Sequence, residues 1–437
     1  MARGPQVKER SKKTHAGPQV WWSVLCLLLL FALLFNGSRQ LSLTYDEPSH
    51  LAAGYAYLAR SMEGLWTIPL RGHPLLINAW EALPLFIGNP GTPLETLNGW
   101  ESSRQAYARA FIHAVGPIAV SEVAGRLPAI LLTVLLAAVN FRWAADLWGT
   151  SGGLVALGLL SFDPTLLAHG RLATNDVGVT TMGTLSLFLM WRWSKHHSWR
   201  IALGTGIALG CTLLSKSSGI LWVGVCFIAA IRTALQKSRP RRRIWAQIML
   251  MGGLAIFVVW AMYGFSIGPI AVLPGIPIPA PLHWESLLFQ TNEAAQRPFF
   301  ALGVLETGRR WWYFPLTFIL KNPLPLLIAL AIALGSRLRF KQRPLGIWQL
   351  FSIVYIIAAL IKGPNIGYRH LLPLHPYIYL LITGAFDALW HHTTHMTKLV
   401  PNRVESRILS KNFPCRYAQV KSGLSGLGNH TVLLEFM

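Results

Sequence analysis

The sequence has few charged residues, and their signs are unbalanced. Only 13% of its 437 residues are charged, and 17 acidic residues stand against 39 basic ones. A soluble domain typically has about 25% charged residues, whereas 53% of this chain is hydrophobic. The shortage of charge therefore argues against a soluble globular protein and predicts an integral membrane protein.

The motifs of several soluble enzyme classes are also absent. The chain has no zinc-ligand spacing, no Walker loop and no dinucleotide fingerprint. Three of its four cysteines lie inside apolar runs, at Cys26, Cys211 and Cys226, so no disulfide framework is indicated. A net charge of +22 would suggest nucleic acid as the partner of a soluble protein. Here the basic residues group in short segments between apolar runs, as at 237–243, which is typical of cytoplasmic loops and predicts no nucleic-acid partner.

The spacing of the apolar runs predicts an all-α membrane protein with about ten spans. Residues 1–19 are basic and polar, and we expect them to stay in the cytoplasm. Residues 20–390 form the predicted transmembrane domain. From 391 to 437 the apolar pattern stops, which predicts a polar, flexible cytoplasmic tail.

Two long neutral loops are predicted on the outer side of the membrane. Basic turns alternate with these loops, at residues 37 to about 125 and at 266–310, and positive charge marks the cytoplasmic side. The first loop is predicted to carry an amphipathic helix at Leu51 to Met62. It also has a short apolar helix at Ile77 to Ile87, which suits the membrane interface.

The most unusual polar feature is the pair Asp46-Glu47, which follows the first apolar run. Ionised groups near a membrane are energetically costly, and they commonly mark a functional site. One interpretation is therefore functional, with a carboxylate acting as a base or a metal ligand. The alternative is a solvated turn, in which either residue favours the N-terminus of the following helix.

Further polar residues gather near the same predicted outer face. They are His73, Arg171, Asn175, Asp176, Lys216, Asn365, Tyr368, Arg369 and His370. Arginine binds phosphate bidentately and lysine binds it as a point charge, so such a cluster beside apolar surface suits an anionic lipid headgroup. Each residue also has an ordinary interpretation, such as snorkelling for Lys216 or a loop charge for Arg369.

Several segments, in this order, resemble the phospholipid-carrier-dependent glycosyltransferases of the GT-C superfamily, near glycosyltransferase family 39. The segments are residues 44–55, 72–75, 167–176, 311–315 with 321–325, and 365–373. That group includes the protein O-mannosyltransferases and the lipid A aminoarabinose transferases. The resemblance implies a GT-C helical bundle that transfers one sugar from a polyprenyl-phosphate carrier, on the outer side of the membrane, to a lipid, glycan or protein acceptor.

The resemblance also implies roles for single residues. The family's catalytic carboxylate falls on Asp46 and its second acidic position on Asp176, and we group Glu47 with them. The predicted substrate-binding residues are His73, Arg171, Asn175, Lys216, Tyr368, Arg369 and His370. A divalent metal at the carboxylates is compatible with this assignment, but no ligand spacing demands it. The chain departs from the family where it has Leu75 in place of a second proline, and where many members continue past the last motif.

Two rival interpretations remain at this point. A transporter or lipid flippase also fits intramembrane charges and proline-broken spans. It predicts two related halves, and the sequence has no internal repeat. The other rival is an inactive relative that binds a lipid carrier or a partner, against which the intact acidic motif argues.

Overall fold

The computed structural model describes residues 18–60, 73–100, 102–236, 241–293, 298–339, 346–363 and 365–409. The predicted N-terminal segment up to residue 17 and the predicted tail beyond residue 409 lie outside the described residues. By internal contacts the chain divides into two compact units, Met1–Asp387 and Ala388–Met437. The domain boundaries at 19/20 and 390/391 stay predictions.

Helices dominate the described chain. The α-helices are α1 (Pro18–Ser38), α2 (Glu47–Arg60), α3 (Leu76–Gly88), α4 (Arg104–Ala114), α5 (Ile118–Ser161), α6 (Pro164–His169), α7 (Asn175–His196), α8 (Trp199–Leu213), α9 (Ile220–Ala234), α10 (Arg241–Met262), α11 (Pro281–Glu293), α12 (Tyr313–Lys321), α13 (Leu324–Arg339), α14 (Ile347–Lys362) and α15 (His375–Leu409). Short 3₁₀ helices lie at Leu94–Thr96, Ser217–Gly219 and Tyr368–Leu374. The two helices predicted in the first outer loop are present as α2 and α3.

Two short hairpins interrupt the helical order in the second predicted outer loop. Strands β1 (Ile267–Ile270) and β2 (Leu273–Pro279) pair antiparallel, as do β3 (Pro298–Ala301) and β4 (Val304–Thr307). The apolar pattern of the sequence does not predict these strands, because prolines obscure the alternation of polar and apolar residues. Each hairpin has only two strands, so each strand has one edge without a partner, and a proline that faces this edge costs no ladder hydrogen bond.

Within the described residues, four helical segments are long and apolar enough to cross a membrane. They are Gln19–Ser38, Ile118–Ser161, Ser217–Ala234 and Arg241–Met262. The pair α12 and α13, bent by 116°, would make a fifth if it is one broken span. Two further predicted spans, α8 and α14, are shorter apolar helices. The helical membrane fold is confirmed, and the count of about ten spans stays a prediction.

The surroundings of α1 explain why the chain belongs in a membrane. Its most apolar stretch of 18 residues has a mean hydropathy of 2.1, yet only 17% of that stretch is buried. Leu30 and Leu34 pack on α5, whereas Trp21 and Leu28 are 68% and 61% exposed. Exposed apolar surface costs about 25 cal/mol per Å² in water. A hydrocarbon environment removes that cost, so this face is suited to lipid.

Close packing of α2 on α3 sets the geometry at one side of the site. A Cβ on Gly54 would lie 1.9 Å from the carbonyl oxygen of Asn78, so only glycine allows the two backbones to approach this closely. The approach brings Nδ1 of His50 to 3.1 Å from Oδ1 of Asn78. On the other side, the 3₁₀ helix Tyr368–Leu374 packs against α7. The polar residues of α2 and of this 3₁₀ helix thereby meet at the start of α7.

Candidate active site

A cavity of about 730 Å³ lies where these elements converge. Most of the predicted site residues line it, although they come from distant parts of the sequence. Those residues are Asp46, His73, Asn175, Asp176, Lys216, Arg369 and His370. The fold therefore brings together the acidic, basic and histidine residues that the motifs singled out.

Two carboxylates and two cations form one network in the cavity wall. The guanidinium of Arg369 lies 2.6 Å from Oδ2 of Asp46 and 3.7 Å from Oδ2 of Asp176. The ammonium of Lys216 lies 2.5 Å from Oδ1 of Asp176. Arg369 thus sits between both carboxylates, and each carboxylate has a cation of its own.

The position of Asp46 bears on the helix-cap interpretation of this residue. Its carbonyl oxygen accepts hydrogen bonds from the N–H groups of Ser49 and His50, at 3.1 and 3.2 Å, in the first turn of α2. Its carboxylate turns to Arg369 and, in the described part of the chain, accepts no hydrogen bond from a backbone N–H. The side chain, 35% exposed, is therefore free of helix capping and faces the cavity.

Charges around Asp46 keep it ionised. Burial raises the pKa of its carboxyl, but Arg369 and His50 together lower it by more, so the pKa lies below the ordinary value of 3.8. His50 and Asp176 also face this carboxylate. Burial and the charge of Arg104 lower the pKa of His50 to about 4. At neutral pH the site therefore presents an aspartate anion beside a neutral imidazole.

Glu47, predicted as catalytic, lies outside the cavity. Its side chain is fully buried and accepts two hydrogen bonds from Arg126, at 2.7 and 2.8 Å. The N–H groups of Thr44 and Ala173 bind the same carboxylate at 2.7 and 3.0 Å. Because its oxygens are fully engaged, Glu47 has no capacity left for a substrate or a metal. We correct its role to that of a structural anchor for the start of α2.

Arg171 and Tyr368 also lie away from the cavity. The guanidinium of Arg171 packs against Gly37 at the end of α1. The hydroxyl of Tyr368 points into the protein, where it bonds Asn322 and His375. Their predicted direct contact with substrate does not fit these positions, because neither side chain reaches the cavity surface.

Arg309 is a cavity residue that the sequence analysis did not single out. It follows β4, lines the cavity, and its Nε is buried without a hydrogen-bond partner. Among the described residues it forms no ion pair, whereas the neighbouring Arg310 binds Glu306 at 2.7 Å. A useful signal was available, since the pair Arg309-Arg310 ends a long neutral loop just before Trp311.

The cavity lining contains both polar and apolar side chains. The polar ones include other residues missed from the sequence: Tyr45, Ser49, His50, Arg104 and Gln105. Ile220, Leu221, Phe314, Tyr355, Ala358, Ala359 and Ile366 also line the cavity. Such a mixed lining suits a ligand with a polar head and a hydrocarbon chain.

In the part of the chain that the structure describes, the side chains do not form a dedicated metal site. Within the described ranges, no three His, Cys, Asp or Glu side chains are arranged to hold a metal ion. Asp46 and Asp176 are each paired with a cation, and Glu47 is fully engaged.

Comparison with known proteins agrees with this architecture. Residues 106–263, from α4 to the end of α10, match the family described as dolichyl-phosphate-mannose-protein mannosyltransferase. The fold is similar to ArnT from Cupriavidus metallidurans, with a TM-score of 0.53 and 15% identity over 90% of this chain. The oligosaccharyltransferase from Archaeoglobus fulgidus superposes with a TM-score of 0.46 and 14% identity over 89% of this chain. No curated protein matches the sequence significantly.

The match to ArnT confirms the fold, and the family match over residues 106–263 confirms the resemblance to this class of glycosyltransferases. The chain spans 66% of the ArnT structure and 52% of the oligosaccharyltransferase structure, so it corresponds to only part of each. Nothing in the matches supports the alternative of a transporter or lipid flippase.

Proposed function

We propose that this protein is a membrane glycosyltransferase that moves one sugar from a polyprenyl-phosphate carrier to an acceptor. The observation that carries the proposal is the cavity that is lined by Asp46, Arg369, Lys216 and Arg309 together with apolar side chains. The cations suit the phosphate, the apolar side chains suit the prenyl chain, and the carboxylate suits the removal of a proton. The name of the matched family specifies a donor of the same class, a dolichyl phosphate carrying mannose.

The proposed reaction is a single displacement. Asp46 takes the proton of the acceptor nucleophile, which forms a bond to the anomeric carbon. The bond from that carbon to the phosphate oxygen breaks, and the phosphate keeps the electron pair. The configuration of the anomeric centre is therefore inverted.

Electrostatics supplies most of the help for this reaction. The donor is a phosphodiester with one negative charge, and the departing carrier phosphate gains a second. Cations fixed beside the phosphate stabilise that increase, and such preorganised stabilisation is often the largest single catalytic contribution. Arg369 and Lys216, both in the cavity wall, are the cations we assign to this role.

Donor binding would exchange the partners of these cations. Without substrate, Arg369 is held by Asp46 and Lys216 by Asp176. A phosphate that binds Arg369 competes with Asp46 for it, which leaves the carboxylate a stronger base. The base would then reach full strength only when the donor is present.

The charge distribution along α7 supports an extracytoplasmic site. Asp176 stands at the start of this helix and Lys195 near its end, about 30 Å away at 1.5 Å per residue. That distance is close to the thickness of the hydrocarbon core. At the far end, Gln247 and Arg243 of α10 donate to the carbonyl oxygen of His197 and bring further basic residues there. Basic residues favour the cytoplasm, so the cavity would open on the opposite side.

Carrier release tests the proposal. The purified protein in detergent is incubated with a panel of polyprenyl-phosphate sugars that differ in the sugar, each with lipid, glycan and peptide acceptors. We expect at least one combination to release free polyprenyl phosphate together with an inverted glycoside. If no combination releases carrier from protein that binds the donors, the transferase assignment is wrong.

Arg309 should contribute to donor affinity. A charge-assisted hydrogen bond to phosphate is worth about 1.5–3 kcal/mol, so we expect Arg309→Ala to weaken donor binding roughly tenfold to a hundredfold. Arg310→Ala is the matched control, because Arg310 is adjacent but 46% exposed and bound to Glu306. Equal donor affinity of the two variants, measured by titration, would remove Arg309 from the site.

The pH profile should report Asp46. A base must be ionised, so activity is present above its pKa and lost as the pH falls through it. We expect the acid limb of the profile, where kcat/KM falls, at a pH below 3.8, which is the ordinary pKa of an aspartate. Arg369→Ala removes the cation that does most to lower the pKa of Asp46, so that pKa should rise and the limb should move to higher pH.

A control separates Asp46 from its neighbour. His50, with a pKa of about 4, titrates in a similar range. His50→Gln should keep the limb and move it to higher pH by less than Arg369→Ala does, because His50 contributes less than Arg369 to lowering the pKa of Asp46. A limb that stays fixed in Arg369→Ala and disappears in His50→Gln would assign it to the imidazole instead.

A further inference from the structure

The 3₁₀ helix Tyr368–Leu374 carries two cavity residues, and hydrogen bonds from three other elements fix it in place. Arg369 and His370 line the cavity. The hydroxyl of Tyr355, on α14, donates to the carbonyl oxygen of His370 at 2.7 Å. Tyr368 turns the other way, so the helix is held from its cavity side and from the protein interior.

The interior side is a buried polar network centred on His375. The hydroxyl of Tyr368 lies 2.8 Å from Nε2 of His375 and accepts a hydrogen bond from Nδ2 of Asn322 at 2.5 Å. Nδ1 of His375 lies 3.1 Å from the hydroxyl of Tyr379 and 3.5 Å from Oδ2 of Asp163. A carboxylate beside Nδ1 favours a proton there, so Nε2 is the acceptor for Tyr368.

The network connects the segment that carries Arg369 to the segment that leads to Asp176. Asp163 caps α6, because its Oδ1 accepts a hydrogen bond from the N–H of Leu166 at 2.8 Å. The chain then runs directly from α6 to Asp176 at the start of α7. At the other end, Tyr368 is the residue next to Arg369. One buried network therefore holds the chain segments next to both Arg369 and Asp176.

We infer that Tyr368 is a positioning residue that sets Arg369 between Asp46 and Asp176 without touching the substrate. This inference rests on the proposed function, since it assigns Arg369 to the donor phosphate. Hydrogen bonds at the Tyr368 hydroxyl fix the rotation of the 3₁₀ helix about its axis. A small rotation would carry the guanidinium away from Oδ2 of Asp46, which is only 2.6 Å distant.

Two tyrosine-to-phenylalanine substitutions test the inference. Tyr368 and Tyr379 are 7% and 0% exposed, and their hydroxyls bond the same imidazole ring. Tyr368→Phe should weaken binding of a short-chain polyprenyl phosphate roughly twofold to tenfold, the effect of one hydrogen bond. It should also move the acid limb of kcat/KM to higher pH, in the direction of Arg369→Ala. The Tyr379→Phe protein should lose a comparable amount of thermal stability. Its affinity for the polyprenyl phosphate and the pH of its acid limb should not change.

A second variant keeps the test decisive if Tyr368→Phe does not fold. Asn322→Ala removes a donor to the same hydroxyl and leaves the tyrosine in place, so it should show the same shifts in smaller measure. Wild-type protein that releases carrier, together with unchanged affinity and an unchanged acid limb in whichever of these two variants folds, would overturn the positioning role. Wild-type protein that releases no carrier would instead count against the proposed function.

Discussion

In the Asp46→Asn variant we expect sugar transfer to fall by about a hundredfold to ten-thousandfold, the usual effect of losing a general base. Donor affinity should stay the same or improve. The amide keeps the shape of the side chain but no longer neutralises Arg369, which lies 2.6 Å away in the substrate-free protein. A phosphate would then bind Arg369 without competition from an anion. The measurements are single-turnover transfer and donor titration on the same preparation.

The asparagine substitution separates catalysis from helix capping. Asparagine is as good a helix N-cap as aspartate, so a purely structural Asp46 would tolerate the change. Asp146→Asn is the control, because Asp146 pairs with Arg142 and Arg192 far along α5 and α7 from the cavity. Transfer by Asp46→Asn within about twofold of that control would contradict the role of Asp46 as the base.

The second large effect should come from Arg126. Its guanidinium is fully buried and donates to Glu47. It also donates to the carbonyl oxygens of Ser38, Leu41 and Ser42, at 2.8, 2.6 and 2.8 Å. Arg126→Ala would leave the Glu47 carboxylate buried without its cation, which typically costs about 3–5 kcal/mol. We expect a marked drop in the midpoint of thermal unfolding in detergent.

An exposed arginine on the same helix provides the comparison. Arg142 is 58% exposed and pairs with Asp146 at 2.8 Å. Exposed pairs contribute about 0–1 kcal/mol, so Arg142→Ala should scarcely move the midpoint. Equal stability of the two variants would mean that the buried pair does not anchor the first loop. Glu47→Gln should likewise reduce the folded fraction while sparing transfer per folded molecule.

The adjacent residues Asp46 and Glu47 show what the sequence can and cannot predict. The scarcity of acidic residues draws attention to the pair, and the resemblance to the family implies that Asp46 belongs to the site. Which of two neighbouring carboxylates enters a cavity depends on the start of α2, which directs the two side chains to different surroundings. A stronger signal for Glu47 was its potential partner, since Arg126 lies in an apolar run and requires a counter-ion.

Tyr368 and Arg369 are a second pair of neighbours for which the sequence does not show which side chain enters the cavity. Consecutive residues of a 3₁₀ helix point about 120° apart, so a motif that contains both does not place both in the cavity. Long-range partners such as Asn322 follow from the packing of separate helices, which the sequence pattern does not show. The helices α2 and α3 were predictable because their apolar periodicity is local.

The most direct test is a structure of the protein with a polyprenyl phosphonate sugar that cannot be cleaved. We expect phosphonate oxygens about 2.7–2.9 Å from the nitrogen atoms of Arg369 and Lys216, the usual distance of a charge-assisted hydrogen bond. The anomeric carbon should face Asp46, and the prenyl chain should lie along Leu221 and Phe314 in the cavity wall. A phosphonate bound outside this cavity, or a sugar on the side away from Asp46, would contradict the account.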